Sequence, residues 1–187
     1  MFPDVLVRIA ARGAYCSGTL LAPDTVLTCH HFFRDHAANA TARAGNQIRT
    51  ITAVEHIAGT DIAIVRIRPF EHLKNARFPS LASAIPRPGT PTVTFGFGGR
   101  ARRIQARDGH LIIPLPIAIS RTGSLVRPAG IVFNRRPARK GDSGGPVLAD
   151  GKIVGIQSLI VDPFGWNTHL AMVNLLPQAL VEELQAR

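Results

Sequence analysis

Apolar residues in this chain fall in short runs, each closed by Gly, Pro, Asn or Asp. In the first third these are VLVRIA at 5–10, SGTLLA at 17–22, TVLT at 25–28, QIRTITAVEHI at 47–57 and DIAIVRI at 61–67. They resume as TVTFGF at 92–97, ARRIQA at 101–106, HLIIPLPIAI at 110–119, GIVF at 130–133, GPVLA at 145–149, KIVGIQSLI at 152–160 and THLAMV at 168–173. Short β-branched segments with turn residues between them predict an all-β sandwich or barrel, with no alternation of strands and long helices. The pattern breaks between residues 69 and 91, where Pro69, Pro79, Pro86, Pro88 and Pro91 deny the chain a central strand. The expected organisation is therefore a first half over 1–75, a proline-rich linker over 76–91 and a second half over 92–187. One helix is predicted, in NLLPQALVEELQAR, with Asn174 as its cap and Leu176, Leu180 and Leu184 at helical spacing, packing on the second half.

Composition narrows the class. A chain of 187 residues, 45% hydrophobic with few aromatics, is long enough to fold without disulfides, and it has no apolar run of membrane-spanning length. Asp4 and Arg8 interrupt the apolar start, so no secretory signal is read there and a cytoplasmic location is expected. Cys16 and Cys29 match no zinc spacing and no disulfide framework. The net charge is +10, and ten of the 22 basic residues lie between Arg100 and Lys140, where Asp108 is the only acid. Such a field attracts anions, and a basic nucleic-acid-binding domain is one rival reading. Against it, the basic residues carry no interleaved aromatic platform, and arginine outnumbers lysine 19 to 3 in the manner of a codon bias.

The chemistry centres on RKGDSGGPVLADGK, residues 139–152. Glycines on both sides of Ser143 allow a bend that presents its hydroxyl outward. A serine hydroxyl needs a base to attack an acyl group at neutral pH, and the base needs a buried carboxylate to fix its tautomer. His30 and His31 follow the strand TVLT directly, and either could be that base. Asp61 opens the apolar strand IAIVRI and so borders a core. The other histidines, His36, His56, His72, His110 and His169, read as surface or structural, and no pair has metal-ligand spacing.

Taken in order, these segments resemble the chymotrypsin-like (trypsin-like) serine peptidases over nearly the whole chain, and most of all a compact bacterial member. CSGTLLAPDTVLTCHHF is similar to the segment ending VLTAAHC, TDIAIVRI to DIALLKL, PGTPTVTFGFG to the start of the second barrel, GDSGGPVL to the nucleophile motif and GKIVGIQS to the strand after it. The resemblance implies two Greek-key six-stranded β-barrels with a C-terminal helix. It also implies a serine endopeptidase without cofactor or metal, acting on protein or peptide substrates through an acyl-enzyme. It assigns the base to His31, the orienting carboxylate to Asp61, the nucleophile to Ser143 and the oxyanion hole to the N–H groups of Gly141 and Ser143. Ser158 is expected to bind the Asp61 carboxylate and to align the substrate backbone. A catalytically inactive barrel acting as a binding module is the second rival, and a place in a larger multidomain effector or defence assembly is compatible with the boundaries.

Departures from the family pattern carry their own expectations. Phe32 stands where a cysteine commonly follows the base, and Cys29 lies three residues earlier, so two free thiols are expected, as in intracellular bacterial domains with a TCAH-type motif. The start MFPDV is unlike a processed activation site, so Asp142 is expected to be held by an arginine or backbone donors and the uncut chain to be active. Around the specificity pocket, Pro137 replaces the acid that trypsins use, Ile160 stands where glycine often keeps the entrance open, and Thr168 or His169 lies near the opposite wall. These residues predict a shallow pocket for a small aliphatic side chain, with an acidic one as the alternative given Arg139 and Lys140 nearby.

Overall fold

In a computed structural model, describing residues 3–36, 39–119, 123–162 and 165–186, the strands close into two six-stranded barrels. The first barrel is built from β1 (Leu6–Ala11), β2 (Ala14–Ala22), β3 (Thr25–Cys29), β4 (Thr41–Ala44), β5 (Gln47–His56) and β6 (Ile62–Ile67), hydrogen-bonded in the order β1-β2-β3-β6-β5-β4. A short helix, α1 (His31–His36), follows β3 and buries Phe32 and Phe33. The second barrel uses β7 (Pro91–Gly96), β8 (Gln105–Leu115), β11 (Ala129–Asn134), β12 (Pro146–Ala149), β13 (Lys152–Ile160) and β14 (Leu170–Leu175), in the order β11-β14-β13-β12-β7-β8. Two short strands, β9 (Ala118–Ile119) and β10 (Leu125–Val126), pair outside it. The chain ends in α2 (Gln178–Ala186).

Why the barrels hold is visible in the burial of their strands. Every residue of β3 is buried, and β6, paired beside it, is buried at all but Arg66. Such two-sided burial demands the apolar, β-branched sequences TVLTC and IAIVRI, since unpaired polar side chains there would lose their water without compensation. One core cluster fills the first barrel and extends through Leu148, Ile153 and Ile156 into the seam with the second. A smaller cluster of Leu111, Val132, Val147, Val154, Val173 and neighbours fills the second barrel. Between the barrels, Ser80 and Ala82 exchange backbone hydrogen bonds with Ile153, pinning residues 68–90 to the start of β13.

Three local expectations are corrected. ARRIQA and HLIIPLPIAI are not two separate strands: residues 105–115 form one, because β7 pairs with it straight through Asp108 and Gly109 and β11 pairs with it from Gly109 onward. Asn174 caps no helix. It is a fully buried member of β14, and the helix starts four residues later at Gln178. That helix does not pack on the second half alone: Leu180 and Val181 join the core cluster shared by the first barrel and the seam, and Leu184 lines a cavity with Leu21 and Thr25 of the first barrel. Arg187, the end of the predicted helical segment, lies outside the described residues.

Candidate active site

The exit of β3 and the entrance of β6 lie side by side, because Cys29 pairs with Ile62 in the antiparallel register. Pairing continues one step beyond the strands, where His30 N–H donates to the Asp61 carbonyl at 2.8 Å. The next residue, His31, opens α1 and faces the Asp61 side chain. His31 Nδ1 lies 2.8 Å from Asp61 Oδ2, and His31 N–H donates to Oδ1 at 2.9 Å. One carboxylate thus grips both the ring and the backbone of the same histidine, which fixes the tautomer with Nδ1 protonated and leaves Nε2 as the acceptor. The His31 side chain keeps 24% of its surface exposed while Asp61 keeps 2%, so the proton-accepting edge can reach solvent and the charge that orients it cannot.

Asp61 is held from behind by two further groups. The Ser158 hydroxyl donates to Oδ2. The Asn174 side-chain oxygen accepts the Asp61 N–H at 2.7 Å, while its amide donates to the carbonyls of Arg127, Pro128 and Leu175. A fully buried asparagine with its donors and acceptor all engaged is a rigid brace. No sequence signal marked it, since asparagine between strand and helix looks like a cap.

His30 faces elsewhere. Its ring stacks on His56 at 3.6 Å between centroids and 12° between planes, and His56 Nε2 meets the Thr60 carbonyl at 2.9 Å. Burial and the neighbouring His56 push the His30 pKa below its ordinary value. For His31, burial works against protonation, while Cys29 and the hydrogen bond and charge of Asp61 favour it, and the balance pushes the imidazole up to about 11. Cys29, whose Sγ lies 3.7 Å from His31 Nε2, adds to that pull only once its thiol ionises. Burial and Cys16 push that thiol well above its ordinary range, so at neutral pH it is Asp61 that favours the protonated imidazole of His31. Cys16 and Cys29 are free and buried.

The GDSGGP turn is seated on β2, β3 and β13. Ser17 N–H donates to the Ser143 carbonyl at 2.7 Å, and Gly144 N–H to the Gln157 carbonyl at 2.7 Å. A Cβ at Gly144 would collide with the Ser17 carbonyl and the Thr28 hydroxyl, so the turn sits this close only as glycine. Gly141 has φ +102° and is covered by the Tyr15 ring, which an added side chain would penetrate. Its carbonyl accepts the Ser17 hydroxyl at 2.6 Å, and the neighbouring Lys140 carbonyl accepts Gly99 N–H at 3.0 Å and the Tyr15 hydroxyl at 3.3 Å. Both carbonyls are thereby turned aside, and the N–H groups of Gly141 and Ser143 have no acceptor among the described residues. Two free N–H groups beside a serine are what an oxyanion hole needs.

Ser143 Oγ donates to the Ser158 carbonyl at 3.4 Å, while Ser158 Oγ binds Asp61, so one residue links the serine to the carboxylate. Among the described residues the hydroxyl makes no direct hydrogen bond to His31 in this state. Asp142, wholly buried, takes Arg107 Nε at 2.7 Å and Arg139 N–H at 2.8 Å on Oδ2, and Gly98 N–H at 2.8 Å on Oδ1. Arg107 and Tyr15 were not singled out in the sequence; Arg107 is one arginine among many, and Tyr15 is marked only as the sole tyrosine.

The remaining pocket residues are more dispersed. Pro137 is half-buried and lines a cavity with Arg107, Arg136 and Arg139. Lys140 is exposed, Ile160 is half-buried at the end of β13, and Thr168 donates its hydroxyl to the carbonyl of Val161, beside Ile160.

Comparison with known proteins bears on this arrangement. Residues 16–156 match the family described as the trypsin-like peptidase domain. The chain is 23% identical to trypsin of Sarcophaga bullata over 183 residues, covering 83% of this chain and 72% of that protein. It is 23% identical over 168 residues to an uncharacterized peptidase of Corynebacterium glutamicum (strain R), covering 85% of this chain but only 58% of the relative. Among solved structures, the active form of the Rv3671c protease from M. tuberculosis superposes with a TM-score of 0.77 at 19% identity, covering 99% of this chain and 81% of that one, a likeness that shows the fold. The chain belongs to the trypsin-like peptidase domain family, the serine endopeptidases of chymotrypsin fold.

Proposed function

We propose that the chain hydrolyses peptide bonds through Ser143, His31 and Asp61, by way of an acyl-enzyme. The observation that carries this reading is the double grip of Asp61 on His31, with the ring held at 2.8 Å and the backbone N–H at 2.9 Å. Ser143 Oγ attacks the substrate carbonyl as His31 Nε2 takes its proton, and the imidazolium formed is stabilised by Asp61. The same proton passes to the leaving amine, and water then repeats the sequence on the ester. Gly141 and Ser143 N–H groups receive the developing oxyanion, each such donor being worth on the order of 100 to 1,000-fold in rate. The resting bond from Ser143 to the Ser158 carbonyl, at 3.4 Å, is weak and is given up at little cost when substrate enters.

For the residue before the cut, Pro137 in place of an acid and the half-buried Ile160 favour a small aliphatic side chain. A peptide-library profile dominated by Lys or Arg at that position would contradict this preference. The mechanism is tested with a fluorophosphonate probe on the wild type, Ser143→Ala, His31→Ala and His30→Ala. Wild type and His30→Ala should label, Ser143→Ala should not, and His31→Ala should label at least about 100-fold more slowly. Labelling of Ser143→Ala, or undiminished labelling of His31→Ala, would remove the assignment.

A further inference from the structure

Behind the oxyanion turn lies a cavity of about 370 Å³, lined by Gly98, Gly99, Gln105 and three arginines, Arg107, Arg136 and Arg139, among others. No carboxylate is among its lining residues. Arg107 is 5% exposed and spends its Nε on Asp142, but its terminal N–H groups have no partner among the described residues. Asp142 balances the charge of Arg107. Arg136 and Arg139 are exposed at the cavity and have no ion-pair partner among the described residues, leaving two unneutralised guanidinium groups there.

Several cations converging on a concave space repel one another unless an anion sits between them. Guanidinium groups present planar forks of N–H donors that match the tetrahedral oxygens of a phosphate. A phosphate group carries a charge of roughly −1.5 to −2 near neutral pH, which matches the two unbalanced arginines. The volume exceeds what a lone phosphate fills and lies at the low end of small-molecule sites, about 300 to 1,000 Å³.

We infer that this cavity is a phosphate-binding site, formed by Arg107, Arg136 and Arg139, for a phosphate dianion either free or carried on a small molecule. Because Arg107 uses Nε for Asp142, it can serve the phosphate with its terminal N–H groups at the same time. Because only the folded chain assembles the three arginines, occupancy stabilises the fold.

The test is calorimetric titration of the purified chain with inorganic phosphate and, separately, with adenosine monophosphate. Thermal melts accompany it against chloride at matched ionic strength. Saturable binding of either probe is expected, with an upward shift in Tm of roughly 5 to 10 °C at a hundredfold excess over half-saturation. Tighter binding of the nucleotide assigns the site to small phosphorylated molecules, and equal binding assigns it to the free ion. Arg136→Gln touches neither Asp142 nor Ser143, and it should weaken binding at least about tenfold while leaving probe labelling unchanged. Ser143→Ala should bind phosphate like the wild type, so the site stands or falls separately from the peptidase mechanism. Absence of saturable binding, or equal binding by Arg136→Gln, would overturn the inference.

Discussion

Arg107 Nε donates to Asp142 Oδ2 at 2.7 Å, with side chains only 6% and 1% exposed. The pair places an internal cation beside the acid that precedes Ser143. Replacing Arg107 with Ala would strand a buried carboxylate, at about 3 to 5 kcal/mol. Urea denaturation should show that loss, and probe labelling should fall with it because Asp142 anchors the turn that bears Ser143. The uncut wild type is expected to hydrolyse peptides without trimming. An inactive wild type would mean that Arg107 does not hold this turn in a working conformation.

The raised pKa of His31 sets the pH dependence. General-base catalysis needs the neutral ring, so kcat/KM should climb with pH along a limb whose midpoint lies above the ordinary histidine value of about 6.5. In Asp61→Asn the limb should move back toward that value, with kcat reduced on the order of 10,000-fold. The sign for stability is opposite. A folded pKa above the unfolded one gives stabilisation that is complete below about pH 6.5 and is lost as pH rises through the folded value of about 11. Rate profiles from about pH 5 to 10 test the first expectation, and a limb centred at or below 6.5 would contradict it.

Gly141 should tolerate no side chain. With φ at +102° and the Tyr15 ring over it, Gly141→Ala must twist the peptide that carries one proposed oxyanion donor. A drop in kcat of about 100-fold or more with little change in KM is expected. Tyr15→Phe keeps the ring but removes the hydroxyl that meets the Lys140 carbonyl and Arg100 N–H, and should lower kcat more mildly, by roughly tenfold. Steady-state kinetics on one peptide substrate compare the two.

Asn174→Ala removes the brace on Asp61 and leaves the Asp61 N–H and the carbonyls that its amide served without their partner. About 2 to 3 kcal/mol of stability should go, read as a fall in Tm of roughly 5 to 10 °C. The remaining folded fraction should show a lower kcat, as the carboxylate is less well placed. An unchanged Tm would show that Asn174 braces nothing.

The sequence by itself determined the strand-rich architecture, because period, turn residues and β-branched runs are local properties that survive whatever the chain folds against. It marked His31, Asp61 and Ser143 through motifs whose neighbours are fixed by backbone needs: an apolar strand before the histidine, another after the aspartate and glycines around the serine. Only the tertiary structure decided what surrounds them. Asn174 reads as a cap because capping is a sequence habit of asparagine, yet a central strand position puts its amide behind Asp61, 113 residues away. Arg107 is indistinguishable in sequence from its many neighbours, and becomes particular only because strand β8 carries it under the turn at Asp142. Long-range contacts of this kind depend on register and barrel closure, which no short window of residues encodes.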